Sequence, residues 1–134
     1  KVNYLDYING NSLLAHTSIY KKYGLLPNNY FLYWEESDWG YSLKKNGVHL
    51  MVCKNAIAFD KGATSIGRGF MSDYYYTRNG LMFIKKHFTF VHILFATILC
   101  LPRIVLRLIK GNPKRAKGAL FGLVDFLKGR EGKK

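Results

Sequence analysis

Three carboxylates stand directly behind an aromatic run in Tyr30-Phe31-Leu32-Tyr33-Trp34-Glu35-Glu36-Ser37-Asp38-Trp39. Aromatic and aliphatic residues of that kind favour a half-buried strand, so a carboxylate that follows them meets limited solvation. Such a carboxylate, at the mouth of a sheet, can accept a proton from an attacking hydroxyl while its neighbours orient that hydroxyl. Glu36 and Asp38 are two residues apart, which on a helix points them to different sides and gives them different roles. The competing reading is structural: Glu35 and Asp38, three apart, favour the positive N-terminal end of a helix dipole, worth about 0.3 to 1 kcal/mol each. The same dipole lowers a carboxylate pKa and weakens it as a base, so desolvation by Tyr33, Trp34 and Trp39 must oppose it.

The elements that would position these groups follow from periodicity and punctuation. Tyr4 to His16 reads as a strand interrupted at Asn9-Gly10-Asn11, where glycine permits a bend or a close backbone approach. Thr17 or Ser18 can cap a short helix that stops at Gly24, and Pro27-Asn28-Asn29 marks a turn before the aromatic strand. A helix starts near Glu35 and ends at Asn46-Gly47. Val48 to Asp60 reads as two short strands around Lys54-Asn55, and Lys61 to Gly69 as a loop with the composition of a mobile lid. Phe70, Tyr74, Thr77, Leu81, Ile84 and Phe88 then recur at four- and three-residue steps, one face of an amphipathic helix. Strands alternating with helices predict an α/β layered fold.

From residue 88 the character changes, which divides the chain into 1–87 and 88–134. Phe88 to Leu101 is apolar and shorter than the about 20 residues a membrane span needs, so it reads as buried or interfacial. Arg103, Arg107 and Lys110 then alternate with aliphatic residues, an amphipathic pattern suited to a lipid headgroup layer. Pro113 opens a last helix, in which Gly118 and Gly122 form a GxxxG that carries little weight outside an apolar span. The net charge of +13 is concentrated there: residues 103–134 hold ten basic and two acidic side chains. Such a tail fits an anionic membrane surface; no nucleic-acid motif accompanies it, and the aromatics lie outside it. Cys53 and Cys100 have neither disulfide nor zinc spacing, which suits a cytosolic chain, and the four histidines are dispersed. The start at Lys1, with no initiator Met and no signal pattern, reads as a segment of a longer protein.

Taken in order, Asn9-Gly10, Gly24, Phe31-Leu32-Tyr33, Glu35-Glu36-Ser37-Asp38-Trp39, Gly47, Asp60-Lys61-Gly62-Ala63-Thr64-Ser65 and Tyr75-Tyr76-Thr77-Arg78-Asn79 resemble the C-terminal half of the family-two glycosyltransferases. The likeness is to rhamnosyltransferase-like members that build bacterial surface polysaccharides, and it covers roughly residues 4 to 88.

The resemblance implies the acceptor-side half of a GT-A, Rossmann-like fold, followed by C-terminal amphipathic helices. It implies inverting transfer from a nucleotide-diphosphate sugar donor to a glycan or lipid-linked acceptor, at the inner face of the cell membrane. Glu36 stands where the family carries its general base, and Asp38 where it helps position the acceptor or holds the loop. Glu35, Asn9 and Gly10 fall at substrate-binding positions, and Trp34 and Trp39 suit stacking on a sugar ring as well as they suit a core. Arg78 stands in a recurrent Arg-Asn pair as a phosphate contact, or as an ordinary helix-surface arginine. Asp60 replaces a usual histidine and can still ligate a hard cation through oxygen. The divalent metal, Mg or Mn, and the donor belong mostly to an N-terminal half carrying Asp-x-Asp, which this sequence lacks, so the segment alone is expected to be inactive. The alternative is a non-catalytic membrane-surface module that binds through its basic tail.

Overall fold

Among the described residues, those with helical spacing form helices, whereas those with strand composition do not form strands. The computed structural model describes residues 5, 7–61 and 67–134. Among them a 3-10 turn, Gly10–Ser12, precedes α1 (Thr17–Tyr23), α2 (Glu35–Lys45), α3 (Phe70–His87), α4 (Phe90–Ile109) and α5 (Pro113–Leu127). No strand is present among the described residues, so the expected α/β, GT-A-like arrangement is corrected to a helical one.

The reason lies in what β propensity measures, which is fit to a paired and half-covered pleated surface. The segments read as strands make isolated backbone contacts, such as the 3.0 Å bond from Leu5 N–H to the Leu50 carbonyl. The expected turn at Lys54-Asn55 is present, with Ala56 N–H bonded to Cys53 O at 3.2 Å, but Met51, Val52, Ile57 and Phe59 around it stay exposed. The aromatic run fails as a strand for another reason: Phe31, Tyr33 and Trp34 have φ of 67°, 62° and 77°, in the left-handed region. Tyr4, and residues 62–66 of the expected lid loop, lie outside the described residues.

The chain groups into two units, one of residues 1–28 and 35–62, the other of residues 29–34 and 63–134. In the first, α1 is capped not by Thr17 or Ser18 but by His16, whose Nδ1 accepts from the Ser18 N–H at 3.3 Å. Gly24 ends it at φ 83°. In α2, Glu35, Glu36 and Asp38 occupy the first turn and Lys44 and Lys45 the last, each charge complementing the helix dipole. The core gathers Ile8, Trp39, Leu43 and Leu50, with Ile19, Tyr20 and Val48 around them. A Cβ on Gly40 would lie 2.9 Å from Ile8 Cγ1, so glycine lets the 7–16 segment run close against α2.

The second unit is a three-helix bundle. α3 starts at a reciprocal cap between Gly69 and Ser72. The apolar run that ends at Leu101 belongs to α4, which passes through Pro102 and is twenty residues, about 30 Å, long. Proline removes one N–H from the helix ladder, and the flanking turns and the neighbouring helices hold the rest. α5 begins at Pro113 as expected and crosses α3 at Gly118 and Gly122. Near the α5 C-terminus, buried Asp125 accepts from the Tyr74 hydroxyl at 2.8 Å and from Arg130 at 3.1 Å. Burial pushes the Asp125 carboxyl up, but the Tyr74 hydrogen bond and the Lys134 and Arg130 charges outweigh it and hold the group below its ordinary value. Arg130 and Lys134 of the basic tail are therefore paired with a buried acid.

Candidate functional site: carboxylates beside a glycine turn

In the first unit the turn at Gly10–Ser12 is set by Asn9, whose side chain accepts from the Asn11 N–H at 3.1 Å. A Cβ on Gly10 would stand 3.4 Å from Glu36 Cγ and 3.5 Å from its Cδ, so the glutamate lies directly along the bare glycine. Asn11 Nδ2 donates to Asp60 Oδ2 at 2.8 Å, which ties the far end of the 48–60 segment to the same turn. An open cleft of about 480 Å³ is lined by Asn9, Asn11, Ser12, Ala58, Phe59 and Asp60, with the Phe59 ring 97% exposed at its edge.

Oε2 of Glu35 and Oε2 of Glu36 are both buried and have no hydrogen-bond partner among the described residues. Buried carboxylate oxygens are almost always supplied with donors, so two adjacent ones left open call for a donor from elsewhere. Burial pushes the Glu35 carboxyl above its ordinary range; a backbone hydrogen bond opposes this, and the neighbouring Glu36 charge reinforces it. Glu35 is thus a carboxylate whose burial opposes its charge. Asp38 is fully buried in the same helix.

The structure brings Asn9, Gly10, Glu36 and Asp60 together around one turn and places the other expected site residues differently. Trp39 is core: it stacks on Tyr20 with centroids 5.1 Å apart, and its Nε1 donates to Gly24 O at 2.9 Å. Trp34, in the second unit, lies over Gly80, donates from Nε1 to the Tyr76 carbonyl at 3.1 Å and tilts against Phe83. Arg78 is buried rather than on a helix surface. Its guanidinium donates to the carbonyls of Tyr30 (3.2 Å) and Gly132 (2.8 Å), to Asn79 Oδ1 and to the Tyr74 hydroxyl.

Asn79 was not singled out from sequence except as the partner of Arg78. It is fully buried, and its Nδ2 faces the carbonyls of Tyr30 (2.8 Å), Leu32 (2.6 Å) and Tyr33 (3.2 Å). The pair therefore clamps the left-handed aromatic loop immediately preceding Glu35 in the chain. Also unforeseen is Asp73, buried on α3, on which Arg103 and Arg107 of α4 and Arg115 of α5 converge. The i, i+4 spacing of Arg103 and Arg107 was legible, but the face they occupy was not.

Among the described residues no three His, Cys, Asp or Glu side chains gather as a cation site, and Asp60 accepts from Asn11. Compared with known proteins, the chain matches no family model, no curated protein and no solved structure.

Proposed function

We propose that the chain supplies the acceptor-side carboxylates of a membrane-associated inverting glycosyltransferase. The observation that carries this reading is the buried, unpartnered Oε2 of Glu36, whose side chain lies beside Gly10, with a second unpartnered oxygen on the preceding Glu35. An acceptor hydroxyl that donates to Glu36 supplies the missing donor. As its oxygen attacks the anomeric carbon, the proton passes to the carboxylate, and the nucleoside diphosphate departs with the electron pair of the broken C–O bond. Asn9, Asn11 and Asp60, at the cleft, are placed to hold other hydroxyls of a glycan. The reading leaves the nucleotide-diphosphate donor, and the divalent metal on its phosphates, to residues outside this chain.

In the full-length protein, Glu36→Gln should lower transfer by roughly 10²- to 10⁴-fold, the ordinary worth of a general base, with donor affinity near normal. Unchanged turnover would remove Glu36 from the reaction. Glu35 gives a second signature, in stability. Because its carboxyl is raised in the folded state, its ionisation opposes folding, and that penalty grows as pH rises above its ordinary value of 4.5. Glu35→Gln should therefore melt higher than the parent at pH 7, with the difference closing at pH 4; an equal or lower melting temperature at pH 7 contradicts the desolvation argument.

A second reading, a membrane-surface module without catalysis, is favoured by α4. The helix is long and apolar enough to cross a bilayer, and Val91, Phe95 and Ile98 on one face are exposed. Arg103 and Arg107 are turned toward Asp73, so α4 presents aliphatic side chains outward and keeps charge inward. Half-exposed charge along its C-terminal half favours lying in the headgroup layer over crossing. The triple substitution Val91→Gln, Phe95→Gln, Ile98→Gln, which removes the apolar face without adding charge, should abolish flotation with anionic vesicles while helical circular dichroism is kept. Vesicle binding that survives it excludes α4 as the membrane contact.

A further inference from the structure

We infer that Arg103, Arg107 and Arg115 form a binding site for a terminal phosphate or diphosphate group. Three guanidinium groups converge on the single carboxylate of Asp73, leaving an excess of two positive charges. Each guanidinium carries five N–H donors, far more than one carboxylate can accept. Nε of Arg107 is buried with no hydrogen-bond partner among the described residues. Asp73 is 1% exposed, whereas the arginine side chains are 34%, 26% and 21% exposed, so the cluster is closed on the carboxylate side and open on the other. The Arg103 guanidinium lies 4.5 Å from the Tyr76 ring centroid, a contact that fixes its position.

Three like charges held this closely repel one another, and a single carboxylate relieves only part of that repulsion. A phosphate dianion offers both the charge and the several acceptor oxygens that the unused forks require, and Arg forks match phosphate oxygens in pairs. A compact monovalent anion supplies neither. Two of the three arginines lie on α4, whose outward side is apolar, so a phosphate carried on a lipid could reach the cluster from the bilayer; that source rests on the membrane reading above, and the anion site itself does not. The same chemistry could be met by a soluble diphosphate.

The test has a soluble arm and a vesicle arm. With inorganic pyrophosphate at millimolar concentration, the parent protein should melt several degrees higher than in chloride of equal ionic strength, and Arg115→Gln should lose most of that shift. In flotation, vesicles containing phosphatidic acid should hold the parent about tenfold more tightly than vesicles of equal charge made with phosphatidylglycerol, whose phosphate is a diester. Arg115→Gln should reduce the first to the level of the second. Arg115→Lys, which keeps the charge and loses the fork, should behave as Arg115→Gln does. A pyrophosphate shift without lipid discrimination supports the site with a soluble ligand. Lipid discrimination that Arg115→Gln removes, without a pyrophosphate shift, supports it with a lipid one. Neither effect in a parent protein that is folded overturns the site, and since the soluble arm uses no membrane and no transfer, that failure is separate from failure of the glycosyltransferase reading.

Discussion

Gly122→Leu should leave the α3–α5 pair without a cooperative thermal transition near that of the parent, and Gly122→Ala should lower the melting temperature by several degrees. A Cβ at this position would come closer to the Tyr74 carbonyl oxygen than van der Waals contact allows and lie 3.1 Å from the Arg78 amide nitrogen. Gly118 repeats the situation one turn earlier against the Phe70 backbone. These neighbours are backbone atoms of α3, at its first residue for Gly118 and in its interior for Gly122, so no rotamer change can clear them. α5 would have to move away from α3, uncovering Ala119, Leu123 and Phe126 and lengthening the Tyr74–Asp125 hydrogen bond of 2.8 Å. Overpacking by a single methyl commonly costs about 1–3 kcal/mol, and a leucine in a backbone crossing more. Domains of this size have only about 5–15 kcal/mol in hand. The sign is diagnostic, because at an exposed helical site alanine stabilises relative to glycine by about 1 kcal/mol. A Gly122→Ala protein that melts higher than the parent would mean that the helices do not cross there.

The glycine pair shows both what the sequence made legible and where it stopped. Its spacing was visible, but its weight depends on a partner helix that periodicity does not name. The same holds for Arg103 and Arg107: their spacing placed them on one face, yet a basic face reads as solvent-facing unless a buried acid is known to lie opposite, and Asp73 looks like an ordinary first-turn residue of α3. α2, α3 and α5 were predictable because caps, glycines and four-three steps are local signals. The strands were not reliable, because Tyr, Val, Ile and Phe favour strands only when another strand pairs with them, and among the described residues none does. At the candidate site, the sequence names Glu36 and Gly10 for separate roles, as base and as substrate-binding position, and their contact is visible only in the fold. Trp39 shows the limit, since an aromatic beside acids suits a ligand platform and a core equally until its packing is seen.

The second large effect is expected at Asn79. Its side chain is fully buried, with Oδ1 accepting from Arg78 Nε at 2.9 Å and Nδ2 shared among the carbonyls of Tyr30, Leu32 and Tyr33. Phe31, Tyr33 and Trp34 hold left-handed backbone angles, each costing about 1–3 kcal/mol, and such conformations persist only where the surroundings over-determine them. Asn79→Ala removes the amide that does so and leaves carbonyls without a donor. The loss should be about 3 kcal/mol or more, read as a lower denaturant midpoint. Trp34, whose indole rests on Gly80 and donates to the Tyr76 carbonyl, should report the loop's release as a red shift in fluorescence before global unfolding. Asn79→Asp separates hydrogen bonding from packing. It is isosteric and gains an ion pair with Arg78, yet it presents an acceptor oxygen where three carbonyls require a donor, so it should fail to restore stability at neutral pH. An Asn79→Asp protein as stable as the parent would show that shape and the Arg78 contact suffice, and that the loop before Glu35 is not held by this amide.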